Sequence, residues 1–197
     1  VELSYSTWSA FSATPQAGDL LIYLAGGTTS GLFVADPTIN IPMGFTQLCT
    51  HAEGNGSNSW GGRTTIAYKI ANGTETEAYG TNAGAWQMLQ FRATRPIATV
   101  NSIDTDGAWS TGDPASKTLN APGDLPALAV GVFYYRDSGS PTVTFSVSGE
   151  SVEVTADGAY FKTRYILYSA SGNTLTADTN DVGSVQGFSA AVLTVED

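Results

Sequence analysis

Arg63-Thr64-Thr65-Ile66-Ala67-Tyr68-Lys69-Ile70-Ala71-Asn72-Gly73-Thr74 is the stretch that decides the fold. Ile66, Tyr68 and Ile70 alternate with Thr65, Ala67 and Lys69, so an extended backbone gathers the large apolar side chains on one face. Asn72-Gly73-Thr74 then ends the run with turn chemistry. The pattern returns as Lys162-Thr163-Arg164-Tyr165-Ile166-Leu167-Tyr168-Ser169-Ala170-Ser171-Gly172-Asn173. Working outward, Ala17-Gly18-Asp19-Leu20 leads into Leu21-Ile22-Tyr23-Leu24, and Pro122-Gly123-Asp124-Leu125 leads toward Ala127-Leu128-Ala129-Val130-Gly131-Val132. Each copy closes with an apolar strand, Trp86 to Phe91 and Phe188 to Val195.

This echo, built only of strands, predicts an all-β fold: an antiparallel jelly-roll-like β-sandwich with an internal pseudo-repeat. Residues 1–197 read as a single domain, with 17–96 as the first half and 97–197 as the second. Residues 1–16 read as an arm or an edge strand. Strands are expected at Leu20 to Ala25, Phe45 to Thr50, Thr64 to Ile70, Ala85 to Arg92, Leu125 to Tyr135, Val143 to Val147, Tyr160 to Tyr168 and Ser184 to Val195. Leu128 to Tyr135 is apolar on both faces and is expected to be a central strand. Loops are expected at Gly26 to Pro42, Glu53 to Gly62, Asp104 to Gly123 and Arg136 to Pro141.

Acidic residues outnumber basic ones 18 to 8, for a formal charge of −10. That balance repels phosphate backbones and argues against nucleic-acid partners and anionic membrane surfaces. No run approaches the roughly 20 apolar residues of a membrane span, so membrane insertion is not expected. The start lacks the basic-then-apolar pattern of a signal peptide. Val1 is read as following a removed initiator Met. The single cysteine, Cys49, allows no disulfide within the chain and reads as a buried strand thiol.

Catalytic chemistry finds no foothold, and the chain is expected not to be an enzyme. The only histidine, His51, stands two residues from Cys49, which aims both side chains the same way along a strand and does not make a dyad. The glycines before Arg63 feed a strand, whereas a phosphate loop feeds a helix. Asp104, Asp106, Asp113, Glu150, Glu153 and Asp157 supply acids, but none can be paired as a glycosidase couple. Asp178-Thr179-Asn180-Asp181 and Asp104-Thr105-Asp106 place oxygen ligands at alternating positions of expected turns. Asp178, Asp181, Asp104 and Asp106 are therefore candidate calcium ligands, set against the simpler reading of turn-forming Asx residues. No other cofactor is implied.

Aromatic residues in polar surroundings are the remaining candidates. Trp8, Trp60 and Trp109 sit among polar or glycine-rich neighbours, where a ring can stack on a sugar or fill a pocket on a partner. Trp86, in an apolar strand, reads as core. Tyr134, within Phe133-Tyr134-Tyr135, reads as packing surface. Trp60, Trp109, Trp8 and Tyr134 form the candidate binding set.

The ordered segments Ala17-Gly18-Asp19-Leu20-Leu21-Ile22, Pro42-Met43-Gly44-Phe45-Thr46-Gln47-Leu48 and Thr65-Ile66-Ala67-Tyr68-Lys69-Ile70-Ala71-Asn72-Gly73-Thr74-Glu75 carry a family likeness. The chain resembles the β-sandwich virion proteins of tailed bacteriophages and phage-like particles. In these, Gly-Asp, Pro-x-Gly-Phe/Trp and Tyr/Trp-Lys-x-Ala segments follow in this order. The likeness covers mainly residues 17–92, and its motifs are turns and strand ends. It implies a structural role on the particle exterior, as capsid decoration or as a spike, fibre or tail component. The implied partners are other virion proteins and further copies of the chain, in a virion assembled in the host cytoplasm. The alternative expectation is a carbohydrate-binding module recognising a host glycan through Trp60, Trp109 and nearby Asn or Asp side chains.

Overall fold

The computed structural model describes residues 3–8, 15–30, 39–54, 60–75, 85–93, 99–111, 117–120, 127–136, 143–146, 153–157, 161–168, 174–179 and 185–196. Among these, every regular element is a strand. In chain order they are β1 (Leu3–Trp8), β2 (Leu20–Ser30), β3 (Thr46–Gly54), β4 (Trp60–Ile70), β5 (Ala85–Ala93), β6 (Thr99–Thr111), β7 (Lys117–Asn120), β8 (Ala127–Arg136), β9 (Val143–Ser146), β10 (Glu153–Asp157), β11 (Phe161–Tyr168), β12 (Thr174–Thr179) and β13 (Val185–Glu196). All their pairings are antiparallel.

The first five strands make one sheet in the order β1-β5-β2-β4-β3, and a second sheet has the order β10-β11-β8-β13-β6. The short strands make a third, β7-β12-β9. Each large sheet is thus drawn from one part of the chain.

Strand alternation explains where the core lies. On β2, Leu20, Ile22 and Leu24 point one way and join Ile66, Leu89 and Phe91 in a cluster with Leu128, Val130, Val132, Ala191 and Leu193 of the second sheet. Full burial of a Leu, Ile or Val contributes about 1.5–3 kcal/mol apiece. Leu21, Tyr23 and Ala25 point the other way into a second cluster with Ala67 and Met88. Ile39, Ile41 and Phe45 from the segment before β3 join it. The Tyr23 ring meets Phe45 edge-on at 6.4 Å and Trp86 at 6.2 Å. β2 is therefore apolar on both faces because both are covered. β8, expected to be central, lies between β11 and β13.

Several expectations need correction. The segment from Glu53 to Gly62 is not all loop: β3 continues to Gly54 and β4 begins at Trp60, with Glu53 paired to Gly62 and Gly54 to Gly61. Glycine discourages strands only weakly once a neighbour supplies the ladder hydrogen bonds. For the same reason β2 runs on to Ser30, with Gly26 and Gly27 opposite Thr64 and Arg63. The expected loop from Asp104 to Gly123 is largely strand, since β6 extends to Thr111 and β7 follows. Asp104 and Asp106 accordingly lie in a strand, opposite Val192 and Ala190, and not in a turn. Asp178 likewise pairs with Thr144 inside the β12 ladder. Arg136 is the last residue of β8 and not part of a loop. Of the two options for the N-terminus, residues 3–8 form the edge strand, paired along β5 from Leu3 opposite Ala93 to Trp8 opposite Met88.

Candidate functional site

The most fully built polar cluster sits where three turns converge at one end of the first sheet. They are the turns of the Gly-Asp, Pro-x-Gly-Phe and Tyr-Lys-x-Ala segments. Among the described residues, the glycines with positive φ are Gly18, Gly44 and Gly73, one per turn. In the first turn the Asp19 amide donates to the Gln16 carbonyl at 3.0 Å. The Asp19 carboxylate is buried and accepts from the Gln16 amide at 2.8 Å, from Gln90 Nε2, and from Arg92 through Nε at 2.9 Å and Nη2 at 2.8 Å. Burial pushes this carboxyl's pKa up, but the hydrogen bonds from Arg92, Gln16 and Gln90 outweigh it and hold the group below its ordinary value. Asp19 in turn raises the Arg92 pKa.

The third turn has its own carboxylate. Glu75, almost wholly buried, meets Lys69 Nζ at 2.7 Å and accepts from the amides of Asn72 and Gly73 at 3.0 Å each. Burial again raises the pKa, and the bonds from Lys69 and the turn amides lower it below the usual range. The turns are tied to each other: the Gly18 amide donates to the Ala71 carbonyl at 2.9 Å, and the Ala71 amide to the Asp19 carbonyl at 2.8 Å. In the second turn Phe45 closes back on the Pro42 carbonyl at 3.1 Å and leaves Met43 at the tip, 92% exposed. Every carboxylate oxygen here is committed to an internal partner. The cluster is a clamp that fixes strand ends, with no carboxylate held ready for a substrate.

The opposite end of the same sheet is different. There the interior changes from Leu and Ile to Gln87, Thr64 and Ser189, all buried. Thr64 Oγ1 lies 2.6 Å from Ser189 Oγ, linking β4 to β13. His51 stands opposite Thr64 on β3, and Cys49, buried as expected, stands opposite Ile66. On the other face of β4, the Thr65 hydroxyl pairs with that of Thr50 at 2.9 Å.

The expected binding residues divide. Trp60 opens β4 opposite Ser30, at this polar end. Trp109 and Tyr134 flank Gly187 from β6 and β8, and Phe161 of β11 stands beside Tyr134 in the same row. Ser189 lies two residues from Gly187, so Trp109 and Tyr134 belong to the same end as Trp60. Trp8 does not join them, being opposite Met88 and in line with Tyr23 midway along the first sheet. Phe133 pairs with Phe188, one residue out of step with Tyr134 opposite Gly187.

Among the described residues no group of three or more His, Cys, Asp or Glu could hold a metal ion. Asp181, Asp113 and Glu150 lie outside the described residues, as does the second Gly-Asp pair at 123–124. Glu153 and Asp157 bound β10.

Sequence reasoning missed the Thr64–Ser189 contact and the partners of Asp19, because they join residues 125, 71 and 73 positions apart. No protein-family model, curated protein or solved structure matches the chain.

Proposed function

We propose that the chain is a β-sandwich of two sheets with an internal pseudo-repeat, jelly-roll-like in outline, serving as a non-enzymatic structural protein on the exterior of a phage-type particle. The observation that carries the role is the use made of the segments behind the family likeness. All three are turns locking one end of the first sheet, as expected of a shared scaffold whose short motifs specify shape and no chemistry.

The sandwich reading is supported by the single apolar cluster that takes residues from both large sheets. Across that cluster β4 faces β13 and β8, β2 faces β8, and β3 faces β6 and β13. The pseudo-repeat is supported by strand order. Read from β6, the second sheet runs β6-β13-β8-β11-β10, and matching it to β1-β5-β2-β4-β3 pairs β2 with β8, β4 with β11 and β5 with β13. Those are the pairs that the repeated sequence segments had matched.

On this reading the protein works through contacts with other virion proteins or further copies of itself. A specific contact of this kind buries more than about 1,000 Å² in total. Co-sedimentation of the purified protein with empty capsids and with whole tailed particles, scored as copies bound per particle, tests it. Hundreds of copies on capsids identify a decoration protein, and a handful per tailed particle a spike, fibre or tail component. Absence of binding to either overturns the reading.

A second reading, glycan recognition, is favoured by one specific observation. Trp109 and Tyr134 come from strands far apart in sequence yet stand on either side of the same glycine.

A further inference from the structure

The outer edges of the two large sheets are β1 and β3 in the first, and β10 and β6 in the second. An edge strand presents a row of backbone N–H and C=O groups that another chain can pair, and proteins blunt such edges with bulges, charged residues or a covering element. β3, β10 and β6 are all blunted. In β3 Gln47 stands opposite Ala67 and Cys49 opposite Ile66, so Leu48 is an extra, bulged residue, and the strand carries Glu53. β10 is bulged in the same way at Thr155 and carries Glu153 and Asp157. β6 is bulged at Ile103 and carries Asp104 and Asp106. β3 and β6 also lie against each other.

β1 has none of these devices. Its register on β5 is unbroken from Leu3 opposite Ala93 to Trp8 opposite Met88, and Leu3-Ser4-Tyr5-Ser6-Thr7-Trp8 holds no charged residue and no proline. Among the described residues no strand pairs its outer edge. Charge decides between occupants. Copies of a chain with a net charge of −10 repel one another, and pairing β6 or β10 with its own counterpart would bring carboxylates into one ladder. β1 is the edge on which two copies meet without that repulsion. A basic partner strand would instead be drawn to the acidic edges.

From this contrast we propose that β1 pairs antiparallel with β1 of a second copy, joining the two first sheets into one continuous sheet and giving a closed two-fold dimer. The pairing rests on the reading of the chain as a particle protein that works through further copies of itself, and it names the surface used. A two-fold axis normal to the sheet preserves each of its faces, so cross-strand partners have residue numbers that are both odd or both even. With the axis at Tyr5, Leu3 stands opposite Thr7 and Ser4 opposite Ser6. With the axis at Ser6, Tyr5 stands opposite Thr7 and Ser4 opposite Trp8. Neither register sets one charge against another. The contact consumes the β1 edge of both copies, so assembly through this strand stops at the dimer.

Sedimentation equilibrium of the intact chain should show a dimer that dissociates on dilution. Ser6→Lys, which places a charge in the middle of the edge, should raise the dissociation constant about tenfold or more, whereas Glu153→Lys on β10 should leave it unchanged. If Ser6→Lys does not fold, amide hydrogen exchange of the unaltered chain serves in its place: protection within residues 3–8 should rise with protein concentration. A chain that stays monomeric, a dimer indifferent to Ser6→Lys in folded protein, or exchange in residues 3–8 that ignores concentration overturns the β1 pairing. Particle binding is read separately by co-sedimentation. A monomer that still binds particles removes the dimer and leaves the particle role, while a β1-paired dimer that binds no particle removes the particle role and leaves the pairing.

Discussion

Arg92 pins Asp19 with two hydrogen bonds, Nε to Oδ1 at 2.9 Å and Nη2 to Oδ2 at 2.8 Å, so that the end of β5 holds the turn that launches β2. The arginine side chain is 41% exposed while the carboxylate is 4% exposed. Solvent screens the charge term, and the hydrogen bonds to the buried oxygens dominate the worth of the pair.

Asp19→Ala should therefore destabilise the protein by about 2–4 kcal/mol, because it removes the acceptor shared by Arg92, Gln90 and the Gln16 amide. Urea denaturation with an unchanged m-value is the check. A loss below about 0.5 kcal/mol, the range of an ordinary surface change, would show the clamp to be ornamental.

Stability should fall in acid, with a definite sign. The carboxyl pKa values of Asp19 and Glu75 are both lower in the folded chain than ordinarily, so the unfolded chain binds more protons as pH drops. Their contribution is complete above the ordinary carboxylate range of about 4 and is lost as pH falls through the lowered values. Melting temperatures recorded from pH 7 down to pH 2 should decline below that range, and the decline should be shallower in Glu75→Gln.

Gly73→Ala should cost about 1–3 kcal/mol, from a left-handed backbone and a close contact together. Gly73 has φ of 84°, and a Cβ placed there would come 3.1 Å from the Ala17 backbone nitrogen. The turn cannot retreat without stretching the bond from the Gly18 amide to Ala71. Gly44→Ala shares the positive φ but meets only the flexible Lys69 chain at 3.7 Å, so thermal denaturation should find it the milder of the two.

Thr64→Val should destabilise by about 1–3 kcal/mol, since it removes the hydroxyl that the buried Ser189 uses. Adding Ser189→Ala should recover part of the loss, because neither hydroxyl then needs a partner. A double-mutant cycle in which the two costs simply add would argue against a coupled pair.

The sequence was most legible where residues alone impose geometry. Thr64 to Ile70 alternates, Leu20 to Ala25 is apolar throughout, and both are strands. The turn at Gly73 could be read from its Asn-Gly-Thr chemistry, whereas those at Gly18 and Gly44 enter only through the motifs of the likeness. β6 was hidden because Asn101-Ser102-Ile103-Asp104-Thr105-Asp106-Gly107 is polar and acid-rich, and its extended form rests on pairing with β13 along its length. Trp60 was read as a loop residue because glycines surround it, whereas β2 supplies the ladder that keeps Gly61 and Gly62 extended. The alignment of Trp109 with Tyr134 depends on the register of a third strand, β13, which neither local sequence encodes.

Because β1 to β5 pair only among themselves, as do β6, β8, β10, β11 and β13, each large sheet can form from its own half of the chain. The apolar cluster and the Thr64–Ser189 hydroxyl pair join the two halves. Loop-closure entropy is then met within each half, where β1 must find β5 and β6 must find β13, before the halves dock, which favours stepwise assembly over a single diffuse nucleus. Two fragments divided within residues 94–98 would each hold the strands of one complete large sheet, and mixing them should restore the docked form.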